Sequence, residues 1–273
     1  MPELPEVQTV LNGFTTRTGQ RKIIAITGFY PGTLITSSGW KDSALPAAIA
    51  RSERRGKYML IHLESGYCLI IHLRMTGKLV YAEQTTEELK HERARIILED
   101  GAIFHFIDPR TFGKIVRCAA GELPKYLPQL GWEPFDQSLT PEHLAPLLAR
   151  RKMPIKNVLL DQKVIAGLGN IYVCEVLYRA GIDPERPASE ISIPELAKII
   201  HHTREVLAEA IAKGGTSISD FRRIDDKTGE FQEFLRVYQQ KQCPCGHEVQ
   251  REKSAGRSTY FCPVCQKRAK RKH

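Results

Sequence analysis

The chain has 273 residues, 42% of them apolar, with 40 Lys and Arg against 31 Asp and Glu and a formal charge of +9. That length suits two domains, or one with appendages, and supplies enough apolar material for a core. No run approaches the roughly 18 consecutive apolar residues of a membrane span, and no basic-then-apolar leader precedes Pro2, so the expectation is a cytoplasmic protein without a membrane partner.

The chain opens MPELPEV. As a helix start this is well formed, because Pro is favoured at the first helical position and Glu suits the positive end of the helix dipole. Val7, Val10, Leu11 and Phe14 then recur at i, i+3, i+4 and i+7, one buried helical face. The same residues suit an active site if Met1 is removed and Pro2 becomes the N-terminus. Strand patterns follow. RKIIAITGFY, KYMLIHLE and YCLIIHLRMTGKLVY are short, rich in Ile, Leu and Tyr, and bounded by Gly or polar residues. RARIILEDGAIFHFID reads as a hairpin turning at Asp100-Gly101. Residues 1–131 are therefore expected to form a helix followed by an antiparallel β-sandwich, with the boundary in GWEPFDQSLTP.

Helical spacing takes over in PEHLAPLLARR, IKNVLLDQKV, NIYVCEVLYRAGI and PELAKIIHHTREVLAEAIAKGG. The polar stretch 213–232 reads as a long loop, which closes a helical domain spanning 132–236. VIAGLGNIYVCE joins two helical patterns through Ala-Gly-Leu-Gly-Asn, where the glycines permit close backbone approach and Asn170 can cap the second helix. A helix N-terminus with a free amide is also a phosphate site, with Lys156 as a companion.

The last segment, 237–273, carries four of the seven cysteines in the pattern Cys243-Pro-Cys245-x16-Cys262-Pro-Val-Cys265. Two pairs separated by a hairpin-length insert make a tetrahedral zinc site, one structural Zn2+. The first pair has one intervening residue where two are usual, and His247 offers an alternative donor; four cysteines, Cys243, Cys245, Cys262 and Cys265, are the expectation. Cys68, Cys118 and Cys174 are scattered and read as reduced core thiols. From residue 236 onward ten Lys and Arg face only Glu248 and Glu252, so the charge excess is a local basic module. Attached to a zinc ribbon, such a module faces phosphates. Arg257, following Gly256 near the hairpin tip, can project a guanidinium into a phosphate pair.

Taken in order, MPELPEV, RRGKY (54–58), IHLRMTGKL (71–79), DPRTFGK (108–114), GLGNIY (167–172) and AGRSTYFCPVCQ (255–266) resemble bacterial formamidopyrimidine-DNA glycosylases over essentially the whole chain. The Leu in PELPEV separates it from the related endonuclease VIII type, whose start resembles PEGPE. The resemblance implies an α+β multidomain fold: an N-terminal helix plus antiparallel β-sandwich, a helix-two-turn-helix domain and a C-terminal β-hairpin zinc finger. It implies excision of 8-oxoguanine and formamidopyrimidines from damaged double-stranded DNA, then cleavage at the abasic site, by a monomer. Pro2 would be the nucleophile. An α-amino group of pKa near 8 is roughly 10% neutral at pH 7, against ~0.04% for a lysine near 10.4. Being secondary, the proline amine yields an iminium that stays cationic without holding a proton and so permits β- and δ-elimination.

By the same resemblance Glu3 is the general acid/base and Glu6 supports it near the lesion. Lys57 bears on phosphate and the reacting centre, and His72, Asn170 and Arg257 on phosphates. Met75, Arg110 and Phe112 fill the gap left by the extruded nucleotide; by pattern alone Met75, Phe112 and His72 read as core. The loop at 215–230 closes over the flipped base. Three departures stand out: the Cys-x-Cys spacing, Cys174 in place of Asp or Ser, and Thr76, which brings no carboxylate to the lesion pocket. Two other readings share these residues: an endonuclease VIII-like glycosylase for oxidised pyrimidines, and a zinc DNA-binding protein silenced by a retained Met1.

Overall fold

A computed structural model of the chain describes residues 1–84, 87–218, 221–254 and 256–266. The basic tail expected to face phosphates, 267–273, lies outside the described residues, as do Ser219 and Asp220 of the 215–230 loop. The chain forms two compact units, Met1–Pro128 with Ile211–Gln232, and Gln129–Ala210 with Glu233–His273.

In the first unit, helix α1 (Leu4–Thr18) buries Val7, Val10, Leu11 and Phe14, the face its periodicity predicts. A four-stranded antiparallel sheet runs β1 (Ile23–Gly28), β7 (Glu92–Leu98), β8 (Ile103–Ile107), β6 (Lys78–Ala82). A second, five-stranded sheet runs β2 (Leu34–Thr36), β9 (Lys114–Ala119), β5 (Tyr67–His72), β4 (Tyr58–Leu63), β3 (Ile49–Arg55). Its strands are antiparallel except β2, which pairs parallel with β9. One apolar core holds α1 with Met59, Ile61, Leu69, Ile71 and Ile115 of one sheet and Leu79, Ile96, Phe104 and Phe106 of the other. The Phe14 and Phe104 ring centroids lie 4.4 Å apart. The β7–β8 hairpin turns at Asp100-Gly101, with Gly101 at φ 88°, as its sequence signal requires.

The stretch YCLIIHLRMTGKLVY does not run as one strand. It breaks at Arg74–Gly77 into β5 and β6, which lie in different sheets. Gly77 donates to the Leu73 carbonyl at 3.0 Å, and a Cβ there would sit 2.5 Å from that oxygen, so only glycine closes this turn. The polar loop also departs from the expected grouping, because 211–232 folds with the first unit. Phe221 and Ile224 enter its core, and Ile224 O accepts from Tyr81 N at 3.0 Å.

In the second unit α3 (Pro141–Leu148), α4 (Ile155–Leu159), α5 (Asn170–Ala180) and most of α6 (Ile193–Ala212) carry the helical patterns, with α2 (Leu123–Tyr126) preceding them in the first. The β10 (Gln250–Ser254) and β11 (Arg257–Phe261) hairpin packs on α5: Cys174 and Tyr178 share an apolar cluster with Val237, Cys243 and Cys262. Among the described residues no helix is long and apolar enough to cross a membrane.

Candidate functional site

The N-terminal corner is built from a reciprocal capping box. Glu3, the N-cap of α1, accepts the Glu6 N–H, and Glu6 Oε2 accepts the Glu3 N–H at 2.7 Å. Both carboxylates are buried, Glu3 to 4% exposure and Glu6 to 1%, while Met1 stands in solvent. The other oxygen of Glu6 accepts the Thr216 N–H at 2.8 Å, and Gly215, at φ 82°, comes so near that a Cβ would lie 3.0 Å from it. Glu6 thus ties the 215–230 loop to the head of α1.

Lys57 sits in the turn between β3 and β4, beyond Gly56 at φ 56°, and is 6% exposed. Arg54 locks this turn by donating to Gly56 O at 2.9 Å and to Gln8 Oε1 of α1 at 3.0 Å. His72 ends β5, its ring 4.3 Å from that of Tyr58. Burial, with the charges of Arg74 and Lys57, pushes its imidazole down to about 3, so it is neutral at physiological pH. His72 Nδ1 accepts the Arg74 N–H at 2.9 Å. The remaining proton therefore sits on Nε2, a neutral donor rather than the cation a phosphate contact first suggests.

Met75 and Phe112 are not core residues: they are 42% and 48% exposed. Large apolar side chains standing in solvent are informative when they occur together. Arg110 lies over the Phe112 ring, 5.0 Å from its centroid. Asp108, fully buried, gathers the two loops. Its Oδ1 accepts from Thr76 Oγ1, beside Met75, and from Arg110 N at 3.2 Å; its Oδ2 accepts from Gly113 N at 2.7 Å. Thr76, which brings no carboxylate of its own, is a strut to this one. The role of Asp108 is invisible in the sequence because its partner Thr76 lies 32 residues away.

In the second unit the α4–α5 turn is stapled by Gln162, whose side chain donates to Leu168 O at 2.8 Å and accepts from Gly167 N at 2.9 Å. The N-cap of α5 is Gly169, not Asn170. Asn170 instead donates to Ser258 O of β11 at 2.8 Å. Lys156 departs further from expectation: it is 0% exposed, donating to Thr259 Oγ1 at 2.7 Å and Ser258 O at 3.2 Å. Burial holds its ammonium below the usual lysine range. A side chain spent this way cannot present its charge to solvent; it grips β11 immediately behind Arg257, which is exposed. Glu175, unremarked in the sequence, is also fully buried and accepts the N–H groups of Arg236, Val237 and Tyr238 at 2.8–3.0 Å, fixing the entry to the ribbon on α5.

Four donor atoms of the ribbon, on Cys243, His247, Cys262 and Cys265, all lie within 4.8 Å of one another. Cys245 is not in this group and is exposed. Cys243 Sγ is 3.7 Å from Cys262 Sγ and 3.9 Å from Cys265 Sγ. A tetrahedral zinc with Zn–S of ~2.3 Å spaces its sulfurs about 3.8 Å apart. The cluster therefore fits one structural zinc.

Comparison with known proteins agrees along the chain. Residues 1–115 match the family model of the formamidopyrimidine-DNA glycosylase N-terminal domain, residues 130–222 that of the formamidopyrimidine-DNA glycosylase H2TH domain, and residues 244–268 a zinc finger found in FPG and IleRS. The chain is 41% identical to a formamidopyrimidine-DNA glycosylase of Pelotomaculum thermopropionicum, covering 98% of this chain and 99% of that protein. It is also 41% identical to one of Desulfitobacterium hafniense, covering 97% and 100%. Among solved structures, a Lactococcus lactis FPG mutant complexed with Fapy-dG-containing DNA superposes with a TM-score of 0.88 at 36% identity, covering 98% of this chain and 100% of that one. The MutM (FPG) protein of Thermus thermophilus gives 0.86 at 35%, with the same coverage.

Proposed function

Because the chain belongs to the formamidopyrimidine-DNA glycosylase family, as a DNA glycosylase of DNA repair, we propose that it excises oxidised purines through a Schiff base on Pro2. Its substrates are 8-oxoguanine and formamidopyrimidines in damaged double-stranded DNA, and strand cleavage by β,δ-elimination follows. It works as a monomer in the bacterial cytoplasm. The three family matches also support a division along the sequence into a catalytic β-sandwich domain (1–131), a helical domain (132–236), whose segment 211–232 packs with the first unit, and a zinc finger with a basic tail (237–273).

The observation that carries this reading is the corner where Pro2 precedes two buried carboxylates, each accepting the other residue's backbone N–H. Removal of Met1 frees a secondary amine there. Its lone pair attacks the sugar C1′ and displaces the base, which leaves with the electron pair of the glycosidic bond and takes up the proton the amine loses; Glu3 then protonates the ring oxygen as the C1′–O bond opens to the iminium. The resulting iminium withdraws electrons from C2′, whose proton is lost as the 3′ phosphate leaves; a second elimination expels the 5′ phosphate. Glu6 keeps Glu3 oriented and holds the lesion loop through Thr216.

Lys57 serves the phosphate and reacting centre, while His72 donates Nε2–H to a phosphate oxygen as a neutral group. Met75 and Phe112 wedge into the stack, and Arg110 bonds the base left unpaired. Arg257 and the N-terminal amides of α5 at Asn170 bind phosphates, and Lys156 acts behind Arg257 by holding its strand. The test is borohydride trapping on a duplex with one 8-oxoguanine opposite cytosine, followed by peptide mapping. A cross-link on Pro2 is expected. Absence of any adduct, from protein that begins at Pro2 and binds this DNA, refutes the reading; trapping only with thymine glycol would shift it to oxidised pyrimidines.

A further inference from the structure

The two halves of the cysteine ribbon are built differently. In Cys262-Pro-Val-Cys265 the second donor stands three residues after the first, and the Cys265 N–H points at Cys262 Sγ, 3.4 Å away. In the first half that third position is Gly246, at φ 79°, which has no donor to offer. The turn there is nevertheless closed: Gly246 N donates to Cys243 O at 2.8 Å, and Cys243 N to His247 O at 2.9 Å. The backbone thus closes a tight turn around Cys243, and the residues flanking Gly246 are the two candidates for the fourth donor.

Geometry separates the competitors. His247 Nδ1 lies 3.6 Å from Cys265 Sγ and 3.9 Å from Cys243 Sγ. A tetrahedral zinc with Zn–N of ~2.0 Å and Zn–S of ~2.3 Å asks for about 3.5 Å between nitrogen and sulfur. Cys245 is exposed, its sulfur 4.0 Å from Tyr178 Oη. One intervening residue is also shorter than the two to four that usually separate paired zinc cysteines. The longer histidine side chain, starting one residue beyond the glycine, still brings Nδ1 within ligand spacing of two of the sulfurs.

Building on the zinc reading of this ribbon, we propose that the metal is held by three thiolates and one imidazole, those of Cys243, His247, Cys262 and Cys265, and that Cys245 remains a free thiol outside the coordination sphere. The full chain, loaded with Zn2+ or Co2+, tests this. Cys245→Ser should retain one zinc per chain and lose it to a chelator at the wild-type rate. Its cobalt form should keep the wild-type ligand-field bands and sulfur-to-cobalt charge-transfer intensity. In the zinc-loaded wild type, a thiol reagent should modify Cys245, identified by peptide mass. His247→Ala should bind zinc at least about tenfold more weakly, as loss of one ligand demands. Because that variant can unfold, His247→Cys supplies a second reading. Its cobalt bands should move to longer wavelength, with charge transfer rising by about one third as a fourth thiolate replaces the imidazole. The proposal is overturned if Cys245→Ser loses zinc or about a quarter of the cobalt charge-transfer intensity, or if Cys245 stays unreactive while zinc is bound.

Discussion

Replacing Asp108 with asparagine tests how the exposed tip is held. The Asp108 carboxyl accepts three bonds, from Thr76 Oγ1, Arg110 N and Gly113 N. An amide has one acceptor oxygen. If that oxygen stays with Thr76 and Arg110, the new NH2 faces the Gly113 N–H across 2.7 Å, donor against donor. Losing one bond to a charged acceptor costs about 1.5–3 kcal/mol, and stranding a buried N–H costs about 1–3 kcal/mol more. The strain is relieved by letting Gly113 move, and Phe112 and Arg110 move with it, so we expect a net penalty of roughly 2–4 kcal/mol. Two assays read it: urea unfolding, and single-turnover kinetics on two duplexes. Under the proposed wedge role of Phe112, excision of an intact 8-oxoguanine should slow at least about tenfold, or 1.4 kcal/mol. Cleavage at a preformed abasic site, where less stacking must be broken, should fall by less than about threefold. A variant within about 0.5 kcal/mol of wild-type stability that excises at an unchanged rate would refute the argument.

The pKa of His72, pushed down to about 3, predicts a flat NMR titration of its ring between pH 8 and 5; a midpoint near the ordinary histidine value would contradict its neutrality. Since the folded protein then binds fewer protons than the unfolded chain, stability should fall as pH drops from the ordinary histidine pKa toward 3, by at most about 1.4 kcal/mol per pH unit from this group. Arg257→Ala should shallow the slope of log affinity against log salt by about one phosphate contact, whereas Lys156→Met should weaken binding with little change of slope. Equal slope changes would show that Lys156 meets phosphate after all. Glu3→Gln should bind lesion DNA but excise at least about a hundredfold more slowly, and an undiminished single-turnover rate would remove Glu3 from the mechanism.

Short-range pattern was legible in the sequence. The apolar stripe of Val7, Val10, Leu11 and Phe14, the Asp100-Gly101 hairpin and the long helices α5 and α6 stand where periodicity and turn chemistry put them, because each is specified by neighbours a few residues apart. The motifs also sufficed for the family. β3, reading IARSERR, carries little strand signal because it is an edge strand with little apolar face. Tertiary structure alone decided who partners whom. Lys156 meets Thr259 across 103 residues, which buries a side chain the sequence leaves free to meet phosphate. Met75 and Phe112 look like core in strand-like sequence, yet turns closed by Gly77 and Asp108 hold them in solvent. Segment 211–232 follows a helix in sequence but buries Phe221 and Ile224 with α1. A side chain's charge and shape are written at its own position. Whether that charge is buried, neutralised or offered to DNA depends on partners that only the folded chain brings within a few ångströms.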